Sequence, residues 1–256
     1  MDNIALSEIK ALLDDKVLIY EQPSFISSDP ISIPHRFSQK EDIEIAGFLA
    51  SIIAWGNRKA ILKSCNTMMN MLGNEPYNFI SSASDAEISQ LSKFVYRTFQ
   101  GEDLPQMVRA LRYVYQNGGL EKIFTPIAGE TMRTVLIRLY STLLPHLGQH
   151  ARKHIANVSK ASAGKRLNMF LRWMVRSNER GVDFGLWKNI SPSTLMLPLD
   201  VHSGNVSRHF GILTRKANDW KAVEEATNIL RTFCPSDPVK YDFALFGAGV
   251  NGEVEF

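Results

Sequence analysis

Cysteine is scarce in this sequence: two residues in 256, Cys65 and Cys234, far apart in the chain. Two distant thiols exclude a disulfide framework and any all-cysteine metal or iron–sulfur cluster. Long apolar runs are missing too. The longest, Ile45 to Trp55, falls well short of the roughly 20 residues a spanning helix needs. Met1-Asp2-Asn3 leads into an amphipathic rather than an apolar stretch, so no signal peptide is expected and a cytoplasmic globular protein is the default. No internal repeat, low-complexity tract or long linker interrupts the chain, and sustained strand-like alternation is rare. What remains is a composition of 45% hydrophobic and 21% charged residues, ordinary for a folded protein and enough for one large core or two lobes sharing a cleft.

The net charge is only +3, but it is unevenly spread. Between His150 and Lys216 there are 12 lysines and arginines against 3 carboxylates, a local +9, and the remaining residues carry −6. Such a segment suits a surface for a polyanion. A solvated helix face would give the same pattern.

Apolar periodicity predicts helices throughout. Ser7 is placed to cap a first helix ending near Tyr20. Residues 41–55 are apolar nearly all round, the mark of a buried helix; Trp55-Gly56-Asn57-Arg58 breaks it, and a Met-rich helix runs on to Leu72. Further helices are expected at 86–99, 104–116, 121–127, 130–146, 162–177, 201–210, 219–233 and 238–250, giving an all-α fold.

Two short stretches carry chemistry. In Leu195 to Leu213 an apolar run ends at Pro198, Asp200 follows, and a helix starts. An Asp there can simply cap the helix; alternatively the helix end holds it ionised and oriented toward a cleft. The second stretch is the helix after Gly164, on whose wheel Lys165, Arg172 and Arg176 share one stripe, with Leu167, Phe170, Leu171 and Met174 opposite. One face is expected to pack and the other to present three cations. Lys165 sits in the first turn, where the positive helix end disfavours an ammonium. An amine of lowered pKa is a competent nucleophile toward an electrophilic carbon, and a fixed carboxylate stabilises positive charge developing there.

Pro198-Leu199-Asp200-Val201-His202, followed by Arg208-His209-Phe210-Gly211-Ile212-Leu213, resembles the Val-Asp-Thr-His…Arg…Leu-Gly-Leu segment of the helix-hairpin-helix DNA glycosylases, the endonuclease III superfamily. Residues 44–58 look like that superfamily's early apolar helix and DNA-probing loop. Residues 241–249 are similar to its late Phe-Asn-Gln-Ala-Leu-Met-Asp-Leu-Gly helix. The chain also resembles a bacterial family of unknown function, whose hallmarks include the runs Phe170 to Arg176 and Asp237 to Asp242. The glycosylase resemblance implies two helical lobes around a central cleft within a single unit of 1–256, with 38–178 as the middle lobe and 1–37 plus 195–256 as the terminal lobe. It implies a DNA repair glycosylase, with or without AP-lyase activity, that flips a damaged or mispaired base out of double-stranded DNA. Asp200 would match the catalytic Asp and Lys165 the Schiff-base Lys. Arg166, Arg172, Arg176, His202 and Arg208 would meet DNA, while Trp55, Asn57 or Arg58 would probe the vacated stack. Where the superfamily has a Leu-Pro-Gly-Val-Gly hairpin, residues 158–164 keep one glycine, Gly164.

Two other functions fit the same residues: a nucleic-acid-binding protein without glycosylase chemistry, or an enzyme acting on free nucleosides or nucleotides. His146, His150 and His154 fall at i, i+4 and i+8, a spacing suited to a metal. Gly148 interrupts them and the run holds no carboxylate, so a basic surface stripe is expected. Trp173 and Trp187 read as core, and Gly247, Gly249 and Gly252 follow no strand and form no dinucleotide loop. No metal, cofactor or membrane partner is expected.

Overall fold

The computed structural model describes residues 3–160 and 162–253. Among these the chain forms twelve α-helices: α1 (Asn3–Tyr20), α2 (Lys40–Ile53), α3 (Arg58–Met71), α4 (Pro76–Ser82), α5 (Asp85–Gln90), α6 (Asp103–Gln116), α7 (Gly119–Phe124), α8 (Met132–Leu143), α9 (Lys165–Val175), α10 (Val201–His209), α11 (Trp220–Phe233) and α12 (Tyr241–Val250). Short 3-10 turns join them, and β-structure among the described residues is limited to isolated bridges. The fold is all-α, and no described helix is long and apolar enough to cross a membrane.

Helix ends differ from the periodicity where local stereochemistry intervenes. Ser7 lies inside α1 rather than at its start. The expected helix 86–99 stops at Gln90 and passes through a 3-10 turn into a tight reversal, where Tyr96 and Phe99 exchange backbone hydrogen bonds of 2.8 and 2.9 Å. Arg97 lies in that reversal at φ +55°, a left-handed conformation no α-helix contains. Helix α9 starts at Lys165 rather than Ser162 because Gly164 sits at φ +63°. A β-carbon there would also lie 3.0 Å from Val158 and 3.4 Å from the Trp220 ring. Residues 144–146 form a 3-10 turn instead of extending α8. Apolar periodicity does not predict helix α4; Pro76 at its first turn is the signal for it.

The chain divides into two compact units, Met1–Phe25 with Asn157–Phe256, and Ile26–Ala156. The second is built on α2, buried from Ile43 to Ile53, with α3, α4 and the 3-10 turns at Pro30–Ser32 and Pro34–Arg36 around it. The buried carboxylate of α2, Glu44, accepts a 2.7 Å hydrogen bond from the Tyr115 hydroxyl. Burial, with Glu44 adding to it, raises the Tyr115 pKa far above the usual phenol range.

In the first unit α12 is central, packing on α1 and α10. Leu13, Val17, Leu199, Val206, Val223, Leu230, Tyr241 and Leu245 form the core around it, and each such side chain contributes about 1.5–3 kcal/mol on burial. Two glycines permit the approach. A β-carbon on Gly247 would lie 2.4 Å from the Tyr20 ring, and one on Gly249 would lie 3.1 Å from the His202 carbonyl oxygen. These glycines serve helix packing. Helix α9, which the glycosylase resemblance assigns to the middle lobe, belongs to the same unit as Asp200.

Candidate functional site

Asp200 does two things at once. It is the N-cap of α10, its Oδ1 accepting from the Ser203 N–H at 2.9 Å and the Ser203 hydroxyl at 3.1 Å, while Ser203 Oγ in turn accepts from the Asp200 N–H at 2.9 Å. Its other oxygen, Oδ2, lies 3.7 Å from Lys165 Nζ. That distance is an ion-pair contact rather than a hydrogen bond. Lys165 is the first residue of α9, and no side chain caps the helix there. Two helix N-termini therefore bring an amine and a carboxylate together, with 33% and 18% of the side chains exposed. Both groups are reachable, and the cap fixes the orientation of one of them.

The other cations of the α9 stripe are elsewhere. Arg172 and Arg176 are only 4% and 5% exposed, so the expected surface stripe of three cations is reduced to Lys165. Arg172 pairs with Asp242 and lies 3.4 Å from Asp183, its guanidinium 4.2 Å from the Phe243 ring centroid. Arg176 reaches Glu21 and Asp183 at 2.6 Å and Asp237 at 3.0 Å. Burial alone would lower the Arg176 pKa; Asp183, Asp237 and Glu21 reverse this and raise it. The wheel located the polar face correctly, but carboxylates of the folded unit cover it, not solvent. A cavity of about 370 Å³ beside this network is lined by Asp14, Glu21, Arg176, Arg180, Asp237 and Lys240, and does not include Lys165 or Asp200.

The remaining expected residues take varied places. Arg166 is half-buried, and burial lowers its pKa. His202 is exposed at the start of α10, its ring edge-on to Phe246 with centroids 6.0 Å apart. Arg208 clamps a loop: it donates to the Arg215 and Lys216 carbonyls, both at 2.9 Å, and to Asn218 at 2.5 Å. Asn218 donates in turn to the Asp200 carbonyl at 3.0 Å. Arg208 thus supports the backbone behind Asp200. Trp55, Asn57 and Arg58 belong to the other unit. The Arg97 guanidinium covers the Trp55 ring at 4.4 Å, Asn57 caps α3 through Ala60, and Arg58 is half-buried at its first turn. Trp173 and Trp187 are buried in the core.

A family profile described as "Protein of unknown function (DUF2400)" matches residues 29–251. The chain belongs to this family. No curated protein matches it, and no solved structure does. The matched region of this DUF2400 chain includes Lys165, Asp200 and the buried arginines.

The run Asp237 to Asp242 of the DUF2400 chain holds a further charged residue of this site, which its sequence does not mark as one. Asp242, on α12, is buried beside Arg172 and close enough to Asp200 and Lys165 to feel both charges; burial first, with Asp200 adding to it, raises its pKa to about 6. The Arg172 guanidinium pulls the other way and offsets the burial only in part. Between pH of about 4 and about 6 the folded state keeps a proton that the unfolded chain has released, so the contribution of Asp242 to stability falls as pH rises through that window. The change is on the order of 3 kcal/mol or less for a rise from 3.8 to about 6. Asp242→Asn removes this ionisation. The stability of the parent minus that of the variant, from urea unfolding, is expected to fall between pH 4 and pH 7. A difference constant with pH would show that Asp242 stays ionised.

Proposed function

We propose that this chain is a DNA N-glycosylase with AP-lyase capability, acting on a damaged or mispaired base in double-stranded DNA on a glycosylase-like two-lobe scaffold, with Lys165 as nucleophile and Asp200 as the carboxylate that serves it. The observation that carries the reading is the 3.7 Å approach of Lys165 Nζ to Asp200 Oδ2, reached from residues 35 positions apart in the sequence. Lys165, once its ammonium proton has passed to solvent, bonds through Nζ to C1′ of the sugar. The C1′–N bond to the base breaks, and the base leaves with the electron pair and takes a proton from solvent. Asp200 stabilises positive charge on C1′ during that departure. An Nζ proton then passes to Asp200, the nitrogen lone pair expels O4′, and O4′ takes that proton, leaving an iminium between Nζ and C1′. His202 and Arg166, flanking the pair in sequence, would meet phosphate.

Base release from a panel of duplexes, each carrying one lesion or mispair, tests this. Asn caps a helix about as well as Asp, so Asp200→Asn keeps the α10 N-terminus while removing the charge. The variant is expected to lose about 10²–10³-fold in the rate of base release with its thermal midpoint unchanged. The capping box of Asp200 favours a second reading, in which the residue is structural and the protein binds nucleic acid without cutting it. Duplexes bound by the parent protein but never losing a base would select that reading.

A further inference from the structure

The three histidines noted in the sequence do not form a stripe. His146 is in a 3-10 turn, its ring 4.2 Å from that of Tyr113. His150 and His154 instead converge on a carboxylate from far away in the chain, Asp103 in the first turn of α6. Asp103 Oδ2 lies 2.8 Å from His150 Nδ1 and 3.0 Å from His154 Nε2. One ligand atom from each of the three residues falls within 4.8 Å of the other two.

We propose that Asp103, His150 and His154 hold one divalent first-row transition-metal ion, with solvent completing its coordination. Bonds of about 2.1 Å at right angles place neighbouring ligand atoms about 3 Å apart, the spacing that Asp103 Oδ2 keeps to both imidazoles. Two imidazoles and one carboxylate form a nitrogen–oxygen donor set that suits Zn²⁺, Co²⁺, Mn²⁺ or Fe²⁺; Ca²⁺ and Mg²⁺ prefer all-oxygen shells. The donors are held in advance. The Gln100 N–H donates to Asp103 Oδ2 at 2.9 Å, and the Phe99 ring lies 4.7 Å from that of His154. Exposure is graded in the way an open site requires: the Asp103 side chain is 2% exposed, His154 4% and His150 48%. Lys153 Nζ lies 2.6 Å from His150 Nε2. That nitrogen carries the proton once Nδ1 binds metal, so the exposed Lys153 ammonium has to turn away into solvent.

The test uses the full chain, purified through a chelator and freed of it. Cobalt titration followed by visible absorption is expected to give d–d bands saturating at one equivalent, and Zn²⁺ is expected to raise the thermal midpoint. His150 is the solvent-facing ligand, so His150→Gln should stay folded by circular dichroism while losing at least about tenfold in affinity for both ions. Absence of both the cobalt bands and the zinc stabilisation in the folded parent protein would overturn the proposal. Equal affinity in parent and His150→Gln would overturn it too, since the ion would then be bound elsewhere.

Discussion

Arg176→Met is expected to cost about 3–5 kcal/mol of folding stability, because it takes the closest cation from buried carboxylates and leaves Asp183 only Arg172 at 3.4 Å and Glu21 only Arg180 at 3.6 Å. Arg176 makes short contacts with Glu21, Asp183 and Asp237, and of these Asp183 and Glu21 are nearly inaccessible to water. A domain's whole stability is about 5–15 kcal/mol, so the loss is a large fraction of the total. The guanidinium fork can serve several carboxylates at once where an ammonium cannot, so Arg176→Lys should also destabilise, by less. Asp183→Asn combined with Arg176→Met should recover part of the loss, since one buried charge goes with the other. Urea midpoints at neutral pH measure all three. A loss below about 1 kcal/mol for Arg176→Met, the magnitude of an exposed ion pair, would show that the network is open to water.

Arg176 also shows where reading the sequence stops. The apolar face of α9 was legible from Leu167, Phe170, Leu171 and Met174, all of which are buried. The opposite face was legible as polar, but not as internal. Its partners are Glu21, Asp183, Asp237 and Asp242, and a helical wheel carries no information about what a distant segment lays over it. The same limit hid Asp103, whose histidines lie 47 and 51 residues later. Asp200 was more accessible because its cap is local: Pro198 keeps the helix from starting earlier, and the Ser203 partner lies three residues on. Its nearness to Lys165 was expected only through the resemblance, since nothing local to either residue specifies it. Helix existence followed from periodicity nearly everywhere; helix ends failed where one residue such as Gly164 or Arg97 takes a positive φ.

Lys165→Ala is expected to have an all-or-none effect on covalent chemistry. An amine and the aldehyde of an abasic site condense to an iminium with loss of water, and borohydride reduces the iminium to a stable secondary amine. Lys165 is one-third exposed and 3.7 Å from a carboxylate that can take and return a proton. Arg166, its neighbour, cannot replace it as a nucleophile, because a guanidinium stays protonated. Lys165→Ala leaves the Gly164 turn and the buried face of α9 intact, so the variant should match the parent in thermal midpoint. The decisive measurement is therefore borohydride trapping of parent and Lys165→Ala protein on a duplex with one abasic site. A covalent protein–DNA adduct is expected with the parent and none with the variant. No adduct with the parent, or an undiminished one with the variant, would contradict it.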